Sequence, residues 1–324
     1  MRCILVPVDG SPSAEQALGL AVTLATRDGA RLDLVLVTEP ISPLEHARGA
    51  PVPDPRLDYE LRREKATYLT RLAERVEGEH PVRATASVEE GPVAETLARR
   101  ALEVDADLVT MTAHHPAGIG PTWLTSTADA VLRRADVPVL VVRRVEGREP
   151  QAAAAFPPRR VLIPLDGSAA AESILDAAVA VGGNEAKYVL AGSIDADPVN
   201  ALTAEIVGFE RDTAAEFRAR VLAYLERVAR SLRARGLHVE TKAVHGPDLA
   251  GAILDYAKAY RADLIALAMP GRDLEERLVA GAVAEDVVRG TSVPVLLRRP
   301  TAVPNVATAP LARTERRVLG RSRG

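Results

Sequence analysis

The chain contains nearly the same sequence twice. Residues 4–11 read Ile-Leu-Val-Pro-Val-Asp-Gly-Ser, and residues 161–168 read Val-Leu-Ile-Pro-Leu-Asp-Gly-Ser. Later pairs repeat in the same order: Gly91-Pro92 with Gly246-Pro247, Ala106-Asp107-Leu108 with Ala262-Asp263-Leu264, and Val137-Pro138-Val139-Leu140 with Val293-Pro294-Val295-Leu296. The separation is 157 residues for the first pair (4 to 161), 155 for the second (91 to 246) and 156 for the other two. This period is the length of an ordinary domain and too long for a solenoid unit, so it indicates a tandem duplication.

Composition narrows the class of protein. A chain of 324 residues with 47% hydrophobic residues suits two domains with buried cores. The net charge of −3 argues against a general nucleic-acid binder. The single cysteine, Cys3, lies in the first apolar run, which predicts a buried thiol. Asp9 follows that short run, so no signal peptide is expected, and no apolar stretch approaches the ~20 residues of a membrane helix. We therefore expect a cytoplasmic protein with no membrane or nucleic-acid partner.

Each half alternates short apolar runs with longer amphipathic segments. Strands are predicted at 3–8, 32–37, 82–88, 107–112 and 138–143, and again near 160–165, 187–193, 237–244, 263–268 and 294–298. Helices are predicted near 12–27, 58–77, 92–103 and 124–134, and again near 169–181, 204–235, 247–259 and 274–289. This alternation predicts an α/β fold in each half, with a parallel sheet and right-handed crossovers.

Two segments lie outside the repeated units. Residues 146–158 contain four alanines and Pro157-Pro158, and they are predicted to link a domain at 1–145 to a domain at 159–299. Residues 300–324 contain three prolines and five arginines against one glutamate. This composition predicts a disordered, solvated tail, with a nucleic-acid or partner contact as the alternative.

Ligands in an open parallel sheet bind beyond the carboxyl ends of the strands. The loops after the two first strands carry Asp9 and Asp166, each of which could accept hydrogen bonds from a ribose or base, or merely from loop amides. Pro7 and Pro164 are expected to end regular strand pairing, because proline cannot donate to the ladder. Ser11 precedes Pro12, which fits a helix N-cap.

Several kinds of active site have no support. No Gly-x-Gly-x-x-Gly follows the first strand, and neither a Walker A sequence nor a Gly-x-Ser-x-Gly elbow is present. His114-His115 is the only histidine pair, and adjacent residues rarely point at one metal. No nucleophile stands beside a base. The sequence therefore predicts neither a catalytic nor a metal site.

Taken together, the repeated motifs resemble the universal stress protein family in its tandem two-domain form, over about residues 1–145 and 159–299. The resemblance rests on Pro-x-Asp-Gly-Ser after the first strand, the Gly-Pro before the third helix, the Ala-Asp-Leu strand and the closing Val-Pro-Val-Leu. It implies two Rossmann-like, five-stranded α/β sandwiches with strand order 3-2-1-4-5. It also implies an intrachain pseudo-dimer paired through the fifth strands, with a homodimer as a further possibility.

ATP-binding members of the family carry Gly-x2-Gly-x9-Gly-Ser after the fourth strand, where backbone amides surround the phosphates. In the first half the aligned residues are Thr112, His115, Thr125 and Ser126, so all three glycines are lost and only the serine remains. In the second half they are Ala268, Gly271, Gly281 and Ala282, so two glycines remain. Arg272 and Arg277 match arginine positions common in the family loop. Because glycine lets backbone approach phosphate closely, the second half is the better anion site.

The resemblance also places Val37 and Ser193 where the family contacts adenine, at the end of the second strand. Ser193 departs from an apolar base pocket. The favoured ligand site in the second half comprises Pro164, Asp166, Ser193, Ala268, Gly271, Arg272, Gly281 and Ala282. The degenerate site in the first half comprises Asp9, Val37 and Ser126.

Two functions remain open at this point. The first is a cytoplasmic stress-response protein that works by binding, with ATP or another adenine nucleotide at most in the second half. The second is a degenerate pseudo-dimer that binds no nucleotide and acts through a protein partner whose identity the sequence does not reveal. An enzyme has little support, although weak ATP hydrolysis would be compatible with the first function.

Overall fold

The computed structural model describes residues 1–11, 14–39, 55–113, 127–143, 156–193, 214–244, 248–269 and 283–299. The strands of the first half are β1 Cys3–Pro7, β2 Arg31–Thr38, β3 Ala84–Glu90, β4 Leu108–Ala113 and β5 Val139–Arg143, and those of the second are β6 Arg160–Pro164, β7 Lys187–Ser193, β8 His238–Val244, β9 Leu264–Ala268 and β10 Val295–Arg298. The helices are α1 Ala14–Asp28, α2 Pro55–Glu79, α3 Val93–Glu103, α4 Thr127–Leu132, α5 Ala169–Glu172, α6 Leu175–Gly182, α7 Ala214–Arg233, α8 Leu249–Tyr260 and α9 at 283–290.

All ten strands form one sheet in the order β3-β2-β1-β4-β5-β10-β9-β6-β7-β8. Each half is a five-stranded unit in the order 3-2-1-4-5, and the pairs within each half are parallel. Helices cover both faces, so the central strands are buried on both sides and read as continuous apolar runs. The predicted fold class and strand order are confirmed.

The two halves meet through their fifth strands. β5 and β10 pair antiparallel, with Val141 opposite Val295, Leu140 opposite Leu296 and Val139 opposite Leu297. The pairing removes two apolar edges that would otherwise invite aggregation. It confirms the predicted pairing of the fifth strands within one chain. Because this pair is antiparallel, the strands of the two halves run in opposite directions. The carboxyl ends of the first-half strands therefore lie at the opposite end of the sheet from those of the second-half strands.

A polar contact joins the halves beside this seam. The guanidinium of Arg27, in the last turn of α1, donates to the carbonyls of Val181 (2.7 Å) and Ala180 (2.6 Å) at the end of α6. The last carbonyls of a helix have no partner within the helix, and a cation there also interacts favourably with the helix dipole. The first half therefore caps a helix of the second.

The repeated Ala-Asp-Leu motif has a structural role that the sequence did not reveal. The Asp107 carboxylate accepts hydrogen bonds from the amides of Arg2 and Cys3. In the second half Asp263 accepts from the amides of Arg159 (3.1 Å) and Arg160 (2.9 Å). In each half this aspartate ties the start of the fourth strand to the start of the first.

Cys3 is buried in the first strand, with only 1% of its surface exposed, and burial raises the pKa of its thiol. The predicted buried thiol is confirmed. Among the described residues, no helix is long and apolar enough to cross a membrane.

The prediction of one continuous helix over 169–181 is wrong. The pattern over 169–181 predicts a single helix, but the structure breaks it into α5 and α6 at Ser173 and Ile174. The Ser173 hydroxyl donates to the carbonyl of Ala170 at 2.6 Å, and the amides of Ser173 and Ile174 bond to carbonyls three residues back. A serine that bonds to nearby backbone competes with the regular helical pattern and tightens the turn. The equivalent helix α1 is unbroken.

Deleting residues 301–324 should leave the melting temperature unchanged within error. The segment lies outside the described residues, and its composition predicts that it adds nothing to either core. Thermal unfolding of the full-length and truncated chains tests this expectation. A decrease of several degrees in the truncated chain would mean that the tail docks on a domain.

Candidate functional site

A cavity of about 450 Å³ opens at the carboxyl ends of β6, β7 and β9 in the second half. Its floor is formed by the ends of these strands: Pro164, Leu165, Asp166, Gly167, Ala191, Gly192, Leu267 and Ala268. Its walls come from the surrounding helices and the end of β8: Ala171, Phe217, Arg220, Val221, Tyr224, Val244, Leu249, Ile253, Val283 and Ala284. Most of the described lining is apolar, and the charged residues among the described ones are Asp166 and Arg220.

Three of the predicted site residues, Pro164, Asp166 and Ala268, meet in this cavity. Ser193 is the last residue of β7 and follows the cavity residue Gly192. Asp9 and Val37 hold the equivalent places in the first half, after β1 and near the end of β2. The remaining predicted positions lie outside the described residues: Gly271, Arg272, Gly281, Ala282 and Ser126, together with His115, Thr125 and Arg277.

The Asp-Gly-Ser loop has the same conformation in both halves. The Oδ1 atoms of Asp9 and Asp166 accept hydrogen bonds from the amides of Ser11 and Ser168, both at 2.8 Å. The glycine between them has a positive φ, 92° at Gly167, which only glycine adopts without strain. Both aspartates therefore accept hydrogen bonds from loop amides, which was one of the two roles considered for them. The second oxygen of Asp166 forms no hydrogen bond with the described residues.

The residues that flank this loop behave as predicted. Pro7 and Pro164 are the last residues of β1 and β6, so the prolines do end the strands. The hydroxyl of Ser11 accepts from the amide of Ala14 at 3.2 Å, and that of Ser168 accepts from the amide of Ala171 at 3.0 Å. Both serines cap the helix that follows, and the predicted N-cap at Ser11 is confirmed.

The α7 wall of the cavity was not predicted from the sequence. Gly192 lets this helix approach the sheet, since a Cβ at Gly192 would lie 2.6 Å from Cγ1 of Val221. Phe217 and Tyr224 follow one another at i and i+7 on the same helix face. Because aromatic residues make up only 3% of the chain, two of them seven residues apart on one predicted helix were the feature of the sequence that could have indicated this wall.

A tyrosine–glutamate pair recurs beside the site in both halves. Tyr68 on α2 donates to Glu15 on α1 at 2.8 Å, and burial followed by this hydrogen bond raises the pKa of Tyr68. In the second half the same two residue types lie side by side, and burial and then the charge of Glu172 raise the pKa of Tyr224, but the buried Tyr224 hydroxyl forms no hydrogen bond with the described residues, while Arg227 bonds to Glu172 at 3.0 Å. The recurrence shows that α2 and α7 occupy equivalent places.

The first half is more polar where the second is apolar. Strand register places Glu89 where the second half has Val244. Glu89 lies 3.2 Å from Arg99 and 3.8 Å from Arg100, on the neighbouring helix α3. The cavity wall formed by Val244 therefore has a charged counterpart in the first half.

This charged cluster continues into the first-half sheet. The Asp33 carboxylate is 1% exposed and accepts two hydrogen bonds from Arg100, both at 2.8 Å, and one from Thr85 at 2.7 Å. The hydrogen bond with Asp33 raises the pKa of Arg100. Register places Val189 at the position of Asp33 in the second half. The two repeats thus keep one fold with different interiors.

Within the described ranges, no group of three or more histidine, cysteine, aspartate or glutamate side chains could hold a metal ion. The geometry defines a class of protein: two α/β units with doubly wound strand order on one continuous sheet, and a cavity at the carboxyl ends of the strands of the second unit.

Comparison with known proteins identifies the family within this class. The model of the universal stress protein family matches residues 1–143 and again 158–299, so the chain belongs to the universal stress protein family. The structure resembles a universal stress protein from Archaeoglobus fulgidus DSM 4304, with a TM-score of 0.66 at 17% identity over 92% of this chain and 98% of that one. It also resembles a putative universal stress protein from Pseudomonas aeruginosa UCBPP-PA14, with a TM-score of 0.57 at 17% identity over 93% and 94% of the two chains. None of the curated proteins compared with the chain gives a significant match.

Proposed function

We propose that this chain is a cytoplasmic stress-response protein that works by binding an adenine nucleotide, ATP in the first instance, in the cavity of its second half. The observation that supports this most directly is the cavity itself. Its volume of about 450 Å³ lies within the range of small-ligand sites, roughly 300–1,000 Å³. It contains Pro164, Asp166 and Ala268, three residues that the sequence selected independently.

The lining suits the parts of a nucleotide. The apolar walls from Val221, Val244 and Ile253 suit a base, and the second oxygen of Asp166 can accept a hydrogen bond from a ribose hydroxyl or a base. The phosphates are assigned to Gly271, Arg272, Gly281 and the amides near Ala282. Those residues precede α9, whose N-terminal end favours anions.

The first half is proposed not to bind ATP in the same way. Thr112, His115 and Thr125 stand at the three glycine positions of the family motif, and only Ser126 matches. A non-glycine residue forced to a positive φ costs ~1–3 kcal/mol. Glu89 adds a carboxylate where the second half has Val244. The chain would then carry one site that binds a nucleotide, in the second half, and one equivalent site in the first half that no longer binds it.

No catalytic role is assigned, because the described residues of the cavity lining offer no nucleophile paired with a base. The competing function is a pseudo-dimer that binds no nucleotide and acts through a protein partner, alone or as a homodimer. Native mass spectrometry of the purified chain separates the two functions. A nucleotide that copurifies with the chain supports the first function. A chain that carries no nucleotide but copurifies with a protein partner supports the second.

Calorimetry with ATP tests the site directly. The wild-type chain should bind, and Gly281→Val should abolish binding, because it adds a side chain where phosphate approaches. Asp166→Asn should weaken binding, because an amide NH2 group replaces the oxygen that would accept from the ribose or base, while the remaining oxygen still accepts from the Ser168 amide. The matched control is Asp9→Asn, the same change in the first half, which should leave ATP affinity unchanged.

Circular dichroism must show that each variant is folded, since Gly281→Val itself costs ~1–3 kcal/mol if φ is positive there. Equal affinities of the wild type and Gly281→Val would exclude the 270–282 loop. No heat from the wild type at millimolar ATP would favour the partner-binding function.

A further inference from the structure

One cationic side chain, Arg220, stands in the wall of the second-half cavity. It lies on α7, and its guanidinium carbon is 5.6 Å from the centre of the Phe217 ring, which also lines the cavity. This distance is within the range of a cation–π contact, about 6 Å. The aromatic ring thus holds the positive charge beside the cavity.

The duplication identifies the first-half counterpart of Arg220. The buried residues of α2 and α7 correspond at a constant separation of 156: Leu69 with Leu225, Leu72 with Val228, Ala73 with Ala229 and Val76 with Leu232. The tyrosines of the recurring tyrosine–glutamate pair, Tyr68 and Tyr224, have the same separation. Arg220 therefore corresponds to Glu64, so the charge at this position is reversed between the halves.

The reversal changes the charge balance of the part of the site that the structure describes. Among the described lining residues of the second half, Asp166 and Arg220 are the charged ones, and their charges sum to zero. The corresponding first-half positions are Asp9, Glu64, Lys65 and Glu89, three negative charges and one positive, which sum to −2 before the ion pairs of Glu89 with Arg99 and Arg100 are counted. Lys65 replaces the apolar Val221, so it offsets part of the negative charge but not all of it. At this position on the helix, an anionic ligand is disfavoured by Glu64 in the first half and favoured by Arg220 in the second.

We propose that Arg220 is the residue that makes the second-half cavity select ligands carrying an anionic group, such as a phosphate, over neutral ligands with the same base. This inference rests on the proposed function, because it assumes that a nucleotide occupies the cavity. The guanidinium donates charge-assisted hydrogen bonds that suit phosphate oxygens. Selection for the anion therefore depends on an α7 side chain as well as on the loop after β9.

The test measures ATP and adenosine affinity by calorimetry in full-length chains. Arg220→Glu, which reproduces the first-half charge, should weaken ATP binding by about tenfold or more while adenosine affinity stays within about twofold. Arg220→Lys keeps the charge and should retain most of the ATP preference. Arg230→Glu makes the same charge change on an exposed part of the same helix, away from the cavity lining, and should change neither affinity. The preference of the wild type for ATP over adenosine should also fall as salt rises.

The possible failures are distinguishable. If Arg220→Glu lowers ATP and adenosine affinity equally, Arg220 only supports the wall through Phe217, and the inference is wrong. If ATP affinity is unchanged, the 270–282 loop alone recognises the anion, and the inference is again wrong while the proposed function stands. If the wild type binds neither ATP nor adenosine, the proposed function itself fails.

Discussion

Replacing Asp33 by alanine should destabilise the chain by about 3 kcal/mol, because it leaves the Arg100 guanidinium in the protein interior without its carboxylate. Losses of about 3–5 kcal/mol are typical when one partner of a buried ion pair is removed. The lower end is expected because 22% of the Arg100 side chain remains exposed, whereas Asp33 is 1% exposed. Denaturant unfolding of the wild type and the variant measures the difference.

The second half supplies the control for this experiment. Its residues at the positions of Asp33 and Arg100 are Val189 and Tyr256. The double variant Asp33→Val with Arg100→Tyr should recover most of the lost stability, because an apolar pair of similar volume can replace a buried ion pair. Arg99→Ala, which removes the ion pairs of an exposed arginine, should cost much less than Asp33→Ala. An Asp33→Ala cost as small as that of Arg99→Ala would show that the buried pair contributes little.

The second large effect is expected at the seam between the halves. Leu296 is fully buried on β10 and lies opposite Leu140 on β5. Leu296→Ala should cost roughly 2–5 kcal/mol, because it removes buried methyl groups and leaves a cavity in a tightly packed interior. It should also make the two halves unfold in separate steps, since this strand pair joins them.

The same substitution on the surface provides the control. Leu102 on α3 is 64% exposed, so Leu102→Ala should change the free energy of unfolding by less than about 0.5 kcal/mol. Calorimetric scans of both variants report stability and the number of transitions. If Leu296→Ala and Leu102→Ala cost the same, the packing across β5 and β10 does not join the halves in solution.

Much of the fold followed from local patterns. The alternation of apolar runs and amphipathic segments predicted the strands and most helices, and the constant repeat separation predicted two equivalent units. The broken helix at Ser173 was missed because a single serine hydroxyl decides between continuing and interrupting a helix, and apolar periodicity does not register that choice.

The candidate site was predicted only in part. Asp166 could be selected because it sits in a short motif after the first strand of the second half, and Ala268 because the resemblance to the family aligns it with the first glycine of the phosphate motif. The α7 wall could not, because its approach depends on the absence of a side chain at Gly192, about 30 residues away in sequence from Val221. Arg220 became visible as a site residue only when that helix was placed over the cavity.

The sequence by itself determined the duplication, the α/β class and the first-strand loop, because each depends on periodicity or on a few neighbouring residues. The sequence also showed that the two glycine motifs differ, but the tertiary structure alone decided how the interiors of the two units differ. Asp33 and Arg100 meet across 67 residues, and Glu89 faces the place where the second half has Val244. Such contacts form only when distant segments pack together, and electrostatic interactions between their side chains are stronger there because the buried environment has a low dielectric constant. One repeated sequence pattern therefore encodes one fold twice, while long-range packing gives each copy its own interior and its own site.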